Sequence, residues 1–213
     1  MMTEKEVRQA VKDAGIKLLD SGLTQGTWGN ISIRLDKDHM VVTPSGLDYI
    51  ALKPEDMIVV DINTLEYTSD IKPTSEKKIH AAIYRSRPDI NAVIHSHPQC
   101  CSSVAATRTE LPVMSEEMQQ KVGGCVRVGG YGLPGTKKLT IATVDALGTD
   151  RNACLMANHG MCACATSIEE AFDVCRIVEE CSVKFVEQKT LELTKGTKFN
   201  IDLLAKAYAS KVK

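Results

Sequence analysis

The chain has 213 residues, of which 43% are hydrophobic and 4% aromatic, and 26 Lys and Arg against 27 Asp and Glu leave a formal net charge of −1. This length predicts a single domain over residues 1–213, with ample room for a core. A near-neutral chain without a basic stripe argues against a nucleic-acid or anionic-membrane surface, because both bind through clustered Lys and Arg. We therefore expect a small ligand, and neither a nucleic acid nor a membrane as partner.

The N-terminal residues predict a cytoplasmic protein. Residues 1–9 carry charges of both signs where a secretory signal needs an apolar stretch, and no window approaches the roughly 20 apolar residues of a membrane span. The eight cysteines form no CxxC pair. In a reducing compartment we expect most of them to be reduced and buried.

The first half of the chain predicts one long helix followed by short strands. Apolar residues recur at helical spacing over 4–20, and Ser21-Gly22 ends the pattern. Runs rich in branched residues, separated by turn signals, predict antiparallel strands at 31–35, 40–43 and 57–61. Thr74-Ser75-Glu76 is typical of a helix start and predicts a short helix to about Arg87, before Pro88.

The second half predicts alternating strands and helices. The expected strands lie at 92–97 and 125–128, with a strand pair inside 153–165, and the expected helices lie at 98–106, 136–147, 167–193 and about 200–211. Repeats and linkers are absent from the sequence. These elements predict a single α/β domain whose central, mainly antiparallel sheet carries helices on both faces.

Two closely spaced histidines give the clearest indication of a functional site in the sequence. Because side chains alternate along a strand, His95 and His97 point to the same face, and two adjacent imidazoles are typical of a metal site. The alternative is a pair of surface histidines, which is less expected in a chain with five His in total. His39 and His80 lack such a context and are expected to be exposed or packing residues.

His159 and Glu76 are further candidate ligands. His159 precedes Gly160 in a predicted turn, and Glu76 stands in the first turn of a predicted helix; alone, each would be an ordinary turn or helix-start residue. With His95 and His97 they would form a site of three neutral imidazoles and one carboxylate, which is typical of catalytic divalent metals. Zn²⁺, Mn²⁺ and Co²⁺ all suit these ligands.

Three short segments have the composition of anion-binding loops. They are 26–30, 43–46 and Thr74-Ser75, in which glycines expose backbone N–H groups and hydroxyls donate hydrogen bonds. Each could equally be a turn or a helix cap. No Walker motif is present, and the glycine pairs at 123–124 and 129–130 do not open a helix after a strand, as a dinucleotide-binding fingerprint requires.

Five segments occur in a characteristic order: QGTWGNIS at 25–32, TPSG at 43–46, PTSE at 73–76, HSH at 95–97 and NHG at 158–160. In this order the chain resembles the class II aldolase/adducin family, and most closely its L-fuculose-1-phosphate aldolases, over nearly its whole length. The resemblance implies a cytosolic, homotetrameric zinc lyase with active sites near subunit interfaces.

The resemblance also assigns roles to individual residues. His95, His97 and His159 would hold the metal, and Glu76 would ligate it at rest and act as base when the substrate displaces it. The residues that would hold the phosphate of dihydroxyacetone phosphate, with Thr27 nearby, are Asn30, Ser45, Gly46, Thr74 and Ser75. Retro-aldol cleavage of a ketose 1-phosphate leaves an enediolate, whose negative charge a divalent cation can stabilise without a Schiff-base lysine.

The segment at 111–118 departs from the aldolase pattern. Glu116 falls at about the position where fuculose-phosphate aldolases carry a tyrosine that handles the proton at the aldehyde end. A carboxyl is shorter and more acidic than a phenol, and at neutral pH it can donate a proton only if burial raises its pKa. An aldehyde with an apolar tail would desolvate the carboxyl, so we expect the site to favour 5-deoxyribulose 1-phosphate over L-fuculose 1-phosphate. Tyr208 matches a second tyrosine that the family brings to a neighbouring subunit's site.

Other readings within the family stay open. A glutamate near position 116 is also reminiscent of methylthioribulose-1-phosphate dehydratases, which eliminate water, and a solvated surface acid is the plain alternative. Pentulose-phosphate 4-epimerases tend to carry aspartate at the position of Glu76. Adducin-type heads keep the fold for protein association and lose the metal ligands, whereas this chain retains all of them.

Overall fold

The sheet forms as predicted. The computed structural model describes residues 2–194, and its sheet follows the order β3-β2-β1-β4-β7-β6-β5. All neighbouring strands pair antiparallel except β5 and β6, which are parallel. The strands are β1 Asn30–Arg34, β2 His39–Val42, β3 Ile58–Asp61, β4 Ala92–Ser96, β5 Arg127–Gly129, β6 Ala153–Met156 and β7 Gly160–Ala165.

Helices cover both faces of this sheet. The helices are α1 Glu4–Asp20, α2 Lys77–Ser86, α3 Gln99–Thr107, α4 Glu116–Val122, α5 Lys137–Leu147 and α6 Ile168–Leu193. Apolar residues of α1, α3, α4 and α6 pack on one face, and those of α2 and α5 pack on the other. The predicted α/β architecture, a central sheet with helices on both faces, is therefore confirmed for the described residues. The predicted helix at about 200–211 and Tyr208 lie outside them.

Most helices begin at a side-chain cap. Thr3 and Glu6 form a reciprocal capping box at α1, and the hydroxyls of Ser115, Thr136 and Ser167 accept backbone N–H bonds at the starts of α4, α5 and α6. These bonds satisfy donors that have no partner inside the helix.

Helix α2 begins differently. Its cap is Glu76, whose side chain makes no capping hydrogen bond. The carboxylate is therefore free to face the sheet.

Two local predictions were incomplete. The seven-residue helix α4 was not foreseen, because only Met118 and Val122 in it are buried and two apolar positions are too few to define a helical period. Strand β5 begins at Arg127 rather than at 125, because Val126 pairs with Leu111 in an isolated bridge instead.

The cysteines behave as expected for reduced thiols. All eight are free, and six of them are buried. Burial raises the pKa of the Cys164 and Cys175 thiols to about 12, so these side chains act as small apolar residues. Within residues 2–194, no helix has both the length and the apolar composition needed to cross a membrane.

Candidate metal and phosphate site

His95 is held rigidly at the centre of the sheet. It lies on β4, which pairs with β1 on one side and β7 on the other, and its side chain is fully buried. Its Nδ1 donates to the carbonyl oxygen of Met161 on β7 at 2.8 Å. Because that bond takes the proton of a neutral imidazole, Nε2 presents a lone pair to the site.

His97 and His159 converge on the same point. His97 follows the end of β4, and its Nε2 lies 2.8 Å from Nε2 of His95. His159 lies in the turn between β6 and β7, after Asn158 at φ +56°. A Cβ on Gly160 would lie 2.5 Å from the carbonyl oxygen of Ser96, so only glycine permits this turn to approach β4. One ring nitrogen of each of the three histidines lies within 4.8 Å of the others.

Glu76 completes the cluster from α2. Its side chain is buried, with Oε2 at 3.1 Å from Nε2 of His95 and Oε1 at 3.6 Å from Nε2 of His159. Among residues 2–194, buried Oε1 has no hydrogen-bond partner, and neither does buried Nδ1 of His159. The predicted ligands are therefore brought together, although Glu76 is 19 residues from the nearest of them.

The chemistry of these donors fits a cation. The lone pair on Nε2 of His95 faces Oε2 of Glu76, and a carboxylate oxygen also only accepts, so the contact is repulsive unless a positive charge lies between them. Burial, and then the neighbouring His97 and His159, lower the pKa of His95 well below its ordinary value. Burial likewise lowers the pKa of His97. Three imidazoles and a carboxylate are ligands that suit Zn²⁺ and similar divalent ions.

All six predicted phosphate-binding residues line one cavity of about 320 Å³ beside this cluster. The lining consists of Thr27, Trp28, Gly29, Asn30, Pro44, Ser45, Gly46, Thr74, Ser75, Glu76, His97, Pro134 and His159. Sequence reasoning did not single out Trp28 or Pro134. The exposed indole of Trp28 lies edge-on to the His97 ring at 6.2 Å between centroids.

Two loops that are far apart in sequence are joined at this cavity. The Ser45 N–H donates to the carbonyl oxygen of Lys72 at 2.9 Å, and the Thr74 N–H donates to that of Thr43 at 3.0 Å. Gly46 has φ +68°, a conformation that glycine adopts without strain. The pairing places the 43–46 loop next to the N-terminus of α2.

Asn30 contacts the carboxylate directly. Its Nδ2 donates to Oε2 of Glu76 at 3.0 Å, and its Oδ1 lies 2.6 Å from Nε2 of His80. His80 was expected to be an exposed or packing residue, but it is fully buried and hydrogen-bonded at both ring nitrogens. Glu76 and His80 lie one helical turn apart, but that spacing alone does not distinguish a packing histidine from a hydrogen-bonded one. His39 is a partly exposed histidine beside Asp36, as expected.

Glu116 does not line this cavity in the described chain. It is the first residue of α4, it is exposed, and its carboxylate accepts from Nε2 of Gln120 at 3.2 Å. The adjacent Glu117 pairs with Arg176 at 2.8 Å. A role for Glu116 in catalysis would therefore require another subunit to approach α4.

Comparison with known proteins is consistent with this geometry. A family model described as "Class II Aldolase and Adducin N-terminal domain" matches residues 9–183. The chain is 37% identical over 192 residues to the 5-deoxy-D-ribulose 1-phosphate aldolase of Bacillus thuringiensis serovar kurstaki, covering 90% of this chain and 89% of that one. It is 32% identical over 179 residues to the 5-methylthioribulose-1-phosphate/5-deoxyribulose-1-phosphate aldolase of Rhodospirillum rubrum, covering 84% and 80%.

Structural comparison gives the same result. A solved L-fuculose 1-phosphate aldolase superposes with a TM-score of 0.82 at 33% identity and covers 96% of each chain. The fold and the three-histidine cluster define a lyase of the metal-dependent aldolase class. The chain belongs to the class II aldolase and adducin N-terminal domain family.

Proposed function

We propose that this aldolase cleaves a ketose 1-phosphate of the 5-deoxyribulose 1-phosphate type into dihydroxyacetone phosphate and a short aldehyde. The observation that carries the proposal is the single cavity in which the histidine cluster, Glu76 and the neutral anion-binding loops meet. Two relatives with 37% and 32% identity are named for 5-deoxyribulose 1-phosphate. The 37% identity of the first exceeds the 33% of the L-fuculose 1-phosphate aldolase structure, which favours this substrate over L-fuculose 1-phosphate.

The phosphate is bound by neutral donors in this proposal. Within the described chain, the cavity lining contains hydroxyls, an amide and glycine loops but no Lys or Arg. Ser45, Thr74 and Ser75 supply hydroxyls near the first turn of α2, where the positive end of the helix dipole favours an anion. Such a site binds the phosphate without an ion pair, and so leaves the metal as the main positive charge near the reacting carbons.

His95, His97 and His159 would hold the metal, with Glu76 as a fourth ligand at rest. Class II aldolases use a divalent ion, and Zn²⁺ is the ion proposed here; Mn²⁺ and Co²⁺ suit the same ligands. When bound, the ion would supply positive charge that stabilises the enediolate oxygens. The bond between His95 and the Met161 carbonyl keeps the liganding nitrogen of His95 deprotonated and oriented.

Glu76 handles the proton at C3. In cleavage, the C4 hydroxyl loses its proton, the C3–C4 bond breaks, and its electron pair forms the enediolate. Glu76, protonated from solvent, then gives this proton to C3, which forms dihydroxyacetone phosphate, and the proton taken from the C4 hydroxyl is released to solvent. In the reverse direction the carboxylate removes that proton, as a general base within reach of the substrate would.

In this proposal, Glu116 of a neighbouring subunit accepts the proton of the C4 hydroxyl. In the described chain Glu116 is exposed on α4 and lies outside its own cavity. The proposal therefore includes a cytosolic homotetramer in which α4, and Tyr208 beyond the described residues, complete an adjacent site.

Product analysis tests the proposal. Zinc-loaded protein is incubated with 5-deoxyribulose 1-phosphate, L-fuculose 1-phosphate and 5-methylthioribulose 1-phosphate. We expect dihydroxyacetone phosphate with acetaldehyde from the first substrate, at the highest kcat/KM of the three. A dehydrated ketone from the methylthio substrate, without triose phosphate from any, would identify the chain as a dehydratase instead.

A further inference from the structure

A continuous chain of buried polar groups runs from the candidate base into the interior. Its members are Glu76, Asn30, His80, Ser32 and Tyr84, and all five side chains are buried. Nδ1 of His80 lies 2.7 Å from Oγ of Ser32, and the Tyr84 hydroxyl lies 2.9 Å from the same Oγ. With the two Asn30 contacts at 3.0 and 2.6 Å, every link is within hydrogen-bond distance.

The sequence places these residues in two matching rows. Asn30 and Ser32 lie two apart on β1 and therefore point to one face of the sheet. Glu76, His80 and Tyr84 lie four apart along the start and body of α2 and therefore share one face of the helix. The two rows interdigitate, so each ring nitrogen of His80 meets one polar side chain of β1.

The carboxylate sets the direction of every bond. Glu76 only accepts, so the amide group of Asn30 must donate its Nδ2–H and present Oδ1 to His80. Nε2 of His80 must then carry a proton. In a neutral ring Nδ1 is consequently an acceptor, and it receives the hydroxyl proton of Ser32.

Burial keeps this imidazole neutral. Loss of hydration lowers the pKa of His80 to about 3, an effect that the charge of Glu76 opposes and that of His95 reinforces. The Tyr84 hydroxyl donates back to Ser32, whose Oγ and carbonyl oxygen lie 2.9 and 3.0 Å from it. No donor or acceptor of the His80 ring is left unpaired, and therefore only one tautomer satisfies the whole chain.

We propose that His80 is a positioning residue for the reaction: its Nε2–H locks the amide of Asn30 with the NH₂ group toward Glu76, which holds the carboxylate in line with the metal cluster. This role rests on the proposed function of Glu76 as base. Without the His80 donor, the amide could rotate by half a turn and place Oδ1 against the carboxylate oxygen, which would repel it. The base would then lose its defined orientation although every metal-liganding imidazole remains.

The tautomer of His80 is directly measurable in the unaltered protein. Long-range ¹H–¹⁵N correlation spectra of the zinc-loaded protein with ¹⁵N-labelled histidine distinguish a protonated from an unprotonated ring nitrogen, and the His80 signals are assigned by their loss in His80→Gln. We expect a neutral ring with the proton on Nε2 at pH 7. A ring protonated on Nδ1, or on both nitrogens, would overturn the proposal.

Two substitutions distinguish the roles of the two ring nitrogens of His80. The amide of His80→Gln can reach Asn30 as Nε2 does, whereas the amide of His80→Asn can reach only Ser32, as Nδ1 does. We expect kcat to fall by roughly ten- to a hundredfold in His80→Asn, with KM and zinc content within roughly threefold of the unaltered protein. His80→Gln should restore most of that loss. His39→Gln, at the partly exposed start of β2 beside Asp36, is the matched control and should leave all three quantities unchanged.

Hydrogen exchange at C3 of dihydroxyacetone phosphate separates this inference from the proposed function. If the unaltered, zinc-loaded protein exchanges this hydrogen, Glu76 has access to C3, and His80→Asn should exchange it more slowly than His80→Gln. Equal exchange rates in the two variants would overturn the role of His80 alone. An unaltered protein that exchanges no C3 hydrogen would contradict the proposed function itself.

Discussion

Asn30 and His95 are Cα partners at the adjoining ends of β1 and β4. This one register pair sets the amide of Asn30 beside the imidazole of His95, a proposed metal ligand, and both side chains contact Oε2 of Glu76, at 3.0 and 3.1 Å. A shift of the pairing by one residue would turn every side chain of β1 to the other face. The apolar contacts of Ile31 and Ile33 with the opposite core therefore fix the geometry of the site.

Removal of the metal or of one ligand should abolish turnover. Chelator-treated, metal-free protein is expected to be inactive and to recover with added Zn²⁺. His97→Ala should reduce both zinc content and kcat/KM by more than roughly tenfold, since even the loss of a residue that only hydrogen-bonds to a metal ligand commonly costs that much. Zinc is measured by elemental analysis. Full turnover of the metal-free protein would contradict the metal mechanism, and His39→Ala serves as the control for replacing a histidine.

Glu76→Gln should keep the fold and lose roughly a hundredfold or more in kcat, as expected on removal of a general base. The substitution conserves size, and the glutamine oxygen can still accept from Nδ2 of Asn30. Exchange of the C3 hydrogen of dihydroxyacetone phosphate is the measurement, with circular dichroism to verify folding. Undiminished exchange would mean that Glu76 acts only as a ligand.

The convergence of the three histidines and Glu76 could be predicted because one signal is local and the others come from the resemblance. Strand alternation relates His95 to His97, and the resemblance to a known family adds His159 and Glu76 in their proper order. The position of Glu76 over the sheet follows from where α2 begins, and no local pattern specified that its side chain would leave the helix end uncapped.

His80 was missed for a physical reason. Its partners on β1 are 48 and 50 residues away, so its role depends on how α2 packs against the sheet, which is a tertiary relationship. A histidine on the buried face of an amphipathic helix has the same local pattern whether it fills space or completes a polar chain. The proposed role of Glu116 likewise depends on a relationship that no local pattern shows, because its proposed partner site lies on another subunit.

Stability of the metal-free protein should fall in mild acid. Burial lowers the folded-state pKa of His80 to about 3, whereas an unfolded histidine has a pKa near about 6.5. Below pH 6.5 the unfolded chain binds a proton that the folded chain rejects, so stability is full above that pH and is lost as pH falls toward 3. This one residue should cost about 2 kcal/mol between pH 6.5 and 5. Urea unfolding of the unaltered protein and of His80→Gln measures it, and equal pH slopes would contradict the assignment.

Glu116 and Glu117, adjacent on α4, provide a test variant and its matched control. Glu116→Gln should lower kcat for 5-deoxyribulose 1-phosphate, because the C4 hydroxyl loses its proton acceptor, by roughly a hundredfold. Glu117→Gln removes an equal charge from the same turn but breaks only the exposed pair with Arg176, which contributes about 1 kcal/mol or less. Its kcat should be unchanged. If both variants retained full activity, Glu116 would be a solvated surface acid.

Trp28 should report on occupancy of the site. It is the only tryptophan in the chain, it lines the candidate phosphate cavity, and 66% of its surface is exposed. A ligand that fills the cavity removes water from one face of the indole, so dihydroxyacetone phosphate added to zinc-loaded protein should shift the emission to shorter wavelength in a saturable manner. Trp28→Phe should abolish the signal while calorimetry still detects binding. Saturation by calorimetry with no change in emission would place the ligand away from this loop, and therefore away from the residues that we assign to the phosphate.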